Sequence, residues 1–193
     1  MPDWLIALVS ALGGGVVGTL LSTILRISYE REAELRSRML EAADEFVRAF
    51  TAAEETIHAA LVKVAPAALV AGRPMSDELR EKMREEVEER RREATAAFRA
   101  ASAARPRIAL LFGVNSESAG HAETAIRTVG EALVRVMQAD DLTEVGANAM
   151  WETTRSFLER SSDRLADFSR AARAAIVSGS ARQLLGLRPA RPA

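Results

Sequence analysis

Hydrophobic positions along the chain follow two regimes. From Trp4 to Leu25 the run WLIALVSALGGGVVGTLLSTIL holds 22 residues without a charge, and beyond Arg26 apolar residues recur every three or four positions among charged ones. The first pattern belongs to a helix that is apolar all round, the second to amphipathic helices with one buried stripe. At 1.5 Å per residue the uncharged run reaches roughly 33 Å, enough to cross a hydrocarbon core of about 30 Å. Trp4 and Tyr29 flank it, where amphipathic rings prefer to lie. A cleaved signal peptide carries its positive residues ahead of the apolar segment. Here Arg26, Arg31, Arg36 and Arg38 follow it and no Lys or Arg precedes it. The run therefore reads as an uncleaved transmembrane helix, residues 1–27 forming a short outer stub and an anchor. The same asymmetry expects the body in the cytoplasm, at a bacterial inner membrane.

Downstream, the stripe Leu35, Met39, Ala43, Phe46, Phe50, Ala53, Ile57, Ala60, Val64 extends a helix to about Ala65, where Pro66, Gly72 and Pro74 break it. Ser76 is placed as the N-cap of a second helix, with Asp77 and Glu78 in its first turn. Its stripe is Leu79, Met83, Val87, Ala94, Phe98 and Ala101; Pro106 is expected to kink or restart it, and Gly113 to end it. A third helix follows the turn at 115–118, with Ala122, Ile126, Val129, Leu133 and Val136 in step. The last runs from about Thr143 to Val177, with Ala147, Met150, Thr154, Phe157, Leu165, Phe168, Ala172 and Ile176 inward and Gly179 as its stop. The expected fold is all-α: an N-terminal transmembrane helix, then an antiparallel bundle of about four long helices over residues 28–179, then a flexible tail at 180–193.

Composition sharpens this picture by exclusion. Hydrophobic residues are 48% and aromatics only 5%, a mixture that forms helix and lacks the usual strand residues. With no cysteine, disulfides, thiolate metal sites and cysteine nucleophiles are excluded. Of 27 acidic residues only Asp3 precedes Arg26, so the body balances 26 acidic against 26 basic side chains. No basic footprint for nucleic acid results.

Small residues lie on a strict four-residue spacing within the uncharged run: Ser10, Gly14, Gly18 and Ser22, with Ala7, Ala11, Gly15, Thr19 and Thr23 beside them. Backbones can approach closely along such a stripe, so these four are the candidate helix-packing residues of a span that pairs with itself or with another membrane protein. Gly13, Gly15 and Gly18 also spell G-x-G-x-x-G, and Gly13 to Thr19 approaches a P-loop. Neither follows a strand, and the P-loop lysine is missing. No catalytic constellation is visible, and no cofactor or small-molecule ligand is expected. Glu55-x-x-His58 has the spacing of one half of a carboxylate di-iron site, but the second half needs another such pair and His121 follows Ser118. The 17 residues from Asp77 to Glu93 carry 14 charges, the mark of a solvated helix face or a docking surface.

Outer stub, Gly-rich span and the emerging helix Y-E-R-E-A-E-L-R (29–36) resemble the peripheral-stalk b subunit of rotary ATP synthases over about the first third of the chain. A stalk helix is uninterrupted, and the breaks at Pro66, Gly72, Pro74, Pro106 and Gly113 depart from it. The chain also resembles uncharacterised bacterial and phage single-pass membrane proteins with a cytoplasmic helical region and an R-x-x-L-L-F-G element, here Arg107 to Gly113. That likeness implies an anchored bundle and no particular activity. The functional expectation is thus a membrane-anchored interaction or scaffold module, not an enzyme, with the bilayer and itself or another membrane protein as partners. The alternatives are a signal relay through the long first helix and, least favoured, a di-iron metalloenzyme.

Overall fold

The computed structural model describes the backbone of residues 3–70, 75–139 and 144–184, and the side chains of residues 26–67, 75–139 and 146–178. Four helices and no strand occur among the described residues: α1 (Asp3–Val70), α2 (Asp77–Phe112), α3 (Glu117–Met137) and α4 (Glu144–Leu184). The chain divides into two units, Met1–Arg38 and Met39–Ala193.

The described residues of the first unit belong to α1. Its described part is stitched along its own surface by ion pairs four residues apart: Arg26–Glu30 at 2.9 Å, Glu32–Arg36, and Glu34–Arg38 at 2.6 Å. Such pairs add a few tenths of a kcal/mol each to an exposed helix, so this segment is helical by its own charge pattern. Among the described residues, no helix is long and apolar enough to cross a membrane. The uncharged run 4–25 lies outside the residues whose side chains are described.

In the second unit the helix ends follow local chemistry. The Ser76 hydroxyl accepts the Leu79 amide at 3.3 Å, and the Ser116 hydroxyl accepts that of Ala119 at 3.1 Å. Each satisfies one of the amides that a helix start leaves unpaired. Gly113 closes α2 at φ +96°, where a side chain would be strained, and donates its amide to the Ala109 carbonyl. The far end of α3 is closed from outside: buried Arg91 of α2 donates from Nε to the Val136 carbonyl at 3.2 Å and pairs with Glu88 at 3.0 Å. A cation at a helix C-terminus is favoured by the helix dipole, which is why α2 carries an arginine on its core side.

Contacts between helices fix their order. Arg107 of α2 reaches Glu41 and Glu45 of α1, while Lys63 of α1 reaches Glu86, so these two run antiparallel. Arg91 against Val136 and Arg105 against Glu123 set α2 antiparallel to α3. Phe46 against Phe168 and Glu54 against Ser161 set α1 antiparallel to α4. Arg135 of α3 lies over the Phe157 ring of α4 at 5.1 Å. The result is an up-down-up-down arrangement in which each helix neighbours the next and α4 returns to α1.

The core is one cluster running from Ala42 to Ala172, with Phe46, Phe50 and Phe168 wholly buried at one level. Phe46 and Phe168 pack at 4.7 Å between ring centroids and 59° between planes. Elsewhere alanines dominate (Ala53, Ala60, Ala94, Ala101, Ala122, Ala125 and Ala132), side chains small enough to permit close helix approach. At Gly130 an added Cβ would stand 3.1 Å from the Phe98 ring, so that aromatic fits only because α3 has no side chain there.

Several boundaries differ from expectation. α1 continues through Pro66 to Val70, and α2 continues through Pro106 to Phe112. Both prolines stand within about two turns of their helix end, and both are exposed, so the lost amide bond costs little packing. α4 passes Gly179 and reaches Leu184, because a glycine weakens a helix by only about 1 kcal/mol and does not by itself end it. Residues 185–193 lie outside the described residues, as does Thr143. Leu35 and Leu79, placed on core stripes by spacing, are exposed.

Candidate functional site

On α1 the residues one position past the core stripe, Glu54 after Ala53 and His58 after Ile57, stand on its flank. On α4 the same holds for Arg155 after Thr154, Glu159 after Leu158 and Ser162 after Ser161. Where the two flanks meet they line an open cleft of about 350 Å³, completed by Glu55 and Leu158. Helical spacing alone assembles this cluster, which brings Glu54, Glu55, His58, Arg155 and Glu159 to one cleft.

Glu54 is its centre. The hydroxyls of Ser161, which is fully buried, and of Ser162, at 3.2 Å, reach the same Glu54 oxygen. Burial raises the Glu54 pKa above its ordinary value; the two serine bonds oppose that, and the charge of Glu55 adds to it. Ser161 Oγ also lies 2.8 Å from the Leu158 carbonyl, and its one proton cannot serve both acceptors. When Glu54 is protonated, its O–H donates to Ser161 and Ser161 donates to Leu158, so every group in the chain is satisfied. When Glu54 is ionised, the serine protons turn to it.

The sign of the pH effect follows. A carboxyl whose folded pKa is raised contributes stability that is complete below its unfolded pKa and is lost as pH rises through the folded value. Above that folded value the Glu54 charge is therefore destabilising. Glu54→Gln is expected to raise stability at pH 7 by less than about 1 kcal/mol, solvent screening keeping the effect small. The gain should shrink toward pH 4, as thermal unfolding across that range would register; a variant less stable than the parent at pH 7 contradicts this.

The di-iron half-motif falls on the same cleft, Glu55 and His58 both lining it. His58 is exposed, its ring 6.4 Å from that of Trp151. Arg155 donates to Glu159 at 3.0 Å, placing a cation where a second metal-binding carboxylate would be needed free. His121 is on α3 against Glu117 at 3.6 Å and does not line the cleft. Among the described residues no group of three or more His, Asp or Glu side chains is placed to hold a metal ion.

The packing residues Ser10, Gly14, Gly18 and Ser22 lie outside the residues whose side chains are described. The charged stretch 77–93 is mostly exposed, with Arg91 alone turned fully inward. Ser161 and Ser162 escape a reading by hydrophobic spacing, because that stripe steps from Phe157 to Leu165. The signal was the gap itself. Continuing the interval from Thr154 marks Leu158 and Ser161 as inward, and a buried serine on a helix needs a partner. A second buried hydroxyl, Thr154 Oγ1, has no hydrogen-bond partner among the described residues.

No family model, curated protein or solved structure matches the chain.

Proposed function

We propose that the chain is a single-pass membrane protein whose helical body is an interaction or scaffold module, anchored by residues 4–25 and facing the cytoplasm. The observation that carries this reading is the uncharged 22-residue run followed at once by Arg26, Arg31, Arg36 and Arg38. The body favours interaction over chemistry. The cleft between α1 and α4 is open, its arginine is paired with Glu159, and Glu54 is engaged by two serines. Small alanine contacts bury little area per residue, so association adds stability that the bundle lacks alone.

Self-association runs through the Ser10, Gly14, Gly18, Ser22 stripe, where close backbone approach replaces the missing hydrophobic drive. Gly14→Leu with Gly18→Leu is expected to lower the yield of cross-linked dimer in native membranes several-fold while leaving the protein in the membrane fraction. Unchanged yield would place the contact elsewhere. Loss from the membrane fraction would not follow from a packing role, since leucine is as apolar as the span requires.

A further inference from the structure

The seam between α2 and α3 joins apolar surface to a surplus of positive charge. It holds an open groove of about 510 Å³, lined by Phe98 of α2 and by α3 residues that include Arg127, Gly130, Val134 and Arg135. Glu131 is the one carboxylate among the lining residues. Beyond Glu93, α2 carries no acidic residue as far as its end at Phe112. Arg99 stands four positions after Thr95 and so shares its face, and Thr95 meets the Met137 sulfur of α3 at 3.9 Å. Among the described residues Arg99, Arg127 and Arg135 form no ion pair, whereas Arg105 and Arg107 further along α2 are both paired. Arg135 and Arg160 lie 5.1 and 4.4 Å from the centroid of the Phe157 ring, so these two like charges stand within about 9.5 Å of each other. That is about a Debye length at moderate salt, and their repulsion is felt. The apolar part is equally local. α3 exposes two large apolar side chains, Val134 at 51% and Met137 at 41%, and both stand on this seam, where Gly130 makes room for the half-buried Phe98 ring.

We infer that this groove docks an acidic amphipathic helix of a partner protein, its apolar side chains over Phe98, Gly130 and Val134 and its carboxylates on Arg99, Arg127 and Arg135. The inference rests on the reading of the body as an interaction module and names the chemistry of its partner; it does not depend on the span. Two neighbouring antiparallel helices present a groove along their seam, the shape that an amphipathic helix fills with residues three and four apart. Arginines around an apolar strip are frequent anchors of such interfaces. Here they outnumber the single carboxylate, so they attract acidic flanks and repel basic ones. A second copy of this chain fits less well. A two-fold interface sets each patch against itself, and Arg127 and Arg135 would then face the same arginines across the axis.

The test uses full-length protein in nanodiscs and two fluorescent synthetic peptides about 18 residues long, enough to form a helix. Both place leucine at every third or fourth position, one with glutamate on the flanks and the other with lysine. Fluorescence anisotropy is expected to show saturable binding of the glutamate peptide, with the lysine peptide weaker by about tenfold or more. Arg127→Glu with Arg135→Glu should weaken the glutamate peptide by about tenfold and strengthen the lysine one, at unchanged Tm. Arg99→Glu, on the other helix, should shift both in the same directions. Equal binding of the two peptides, binding of neither, or an unaltered preference in these variants overturns the proposal. Val134→Ser should also weaken the glutamate peptide several-fold; no effect would mean that charge alone is read, as a nucleic acid would read it, and overturns the helix as occupant. Photo-crosslinking in native membranes separates this failure from that of the interaction reading, with a benzophenone residue in place of Val134 or of Glu55 in the α1–α4 cleft. The expected adduct forms at 134 and is lost with the Arg127→Glu and Arg135→Glu pair. An adduct at 55 and none at 134 overturns this surface and leaves an interaction module; adducts at neither position overturn both. An adduct at 134 of twice the chain mass assigns the seam to a second copy and overturns the proposal.

Discussion

Phe168→Ala is expected to cost the helical body about 3–5 kcal/mol and to lower its Tm by roughly 10 °C. Phe168 is wholly buried between α4 and α1, its ring 4.7 Å from that of Phe46, which in turn packs 5.9 Å from Phe50. These three rings are the largest fully buried side chains in a core otherwise rich in alanine. Truncation removes the ring's own burial, an aromatic contact, and packing that small neighbours cannot collapse to refill. Leu110→Ala, at a side chain that is 81% exposed, is expected to change stability by less than about 0.5 kcal/mol. Urea or thermal unfolding of the two variants beside the parent checks both. A loss at Phe168 of under about 1 kcal/mol would mean that α1 and α4 do not pack through this aromatic layer.

Val16→Arg combined with Val17→Arg is expected to remove the protein from the alkali-resistant membrane fraction. Each arginine near the middle of a span costs about 2.5–3.5 kcal/mol on insertion, and two together outweigh the favourable contributions of several leucines. The helical body should be unaffected. Its core begins at Ala42, and no buried residue described before that position belongs to it. Fractionation and thermal unfolding of the same preparation separate the two effects. Retention in membranes after alkaline extraction would show that residues 4–25 are not what holds the protein there. A fall in the Tm of the body would show that the two units depend on each other.

Helix number, order and chain reversals in the second unit were legible because they rest on short-range chemistry. Ser76 and Ser116 cap where a serine precedes an acidic first turn, and Gly113 ends α2 where a positive φ is required. The buried faces of α1 and α3 follow their three-four spacing closely, from Phe46 through Val64 and from Ala122 through Val136. What spacing missed were places where the inward residue is polar. Arg91 is buried because a carbonyl at the end of α3 waits for it, and Ser161 because Glu54 does. Both partners are distant in sequence, so no local pattern announces them. Prolines and Gly179 misled for the opposite reason. Their local cost is small beside the packing of a whole helix, so position within the element decides the outcome. The Glu54 cleft was half visible: Glu55 and His58 marked it on α1, while the α4 side that gives it a character was hidden in the Phe157–Leu165 gap.

The proposed anchored bundle, with its body on the cytoplasmic side, is tested most directly by cysteine accessibility. Pro2→Cys reports the stub and Asn115→Cys the turn between α2 and α3, in a chain with no other cysteine. Spheroplasts are treated with a membrane-impermeant maleimide before and after permeabilisation. Labelling is expected at position 2 in intact spheroplasts and at position 115 only once they are opened. Labelling at 115 in intact spheroplasts, or recovery of the protein in the soluble fraction, would contradict it.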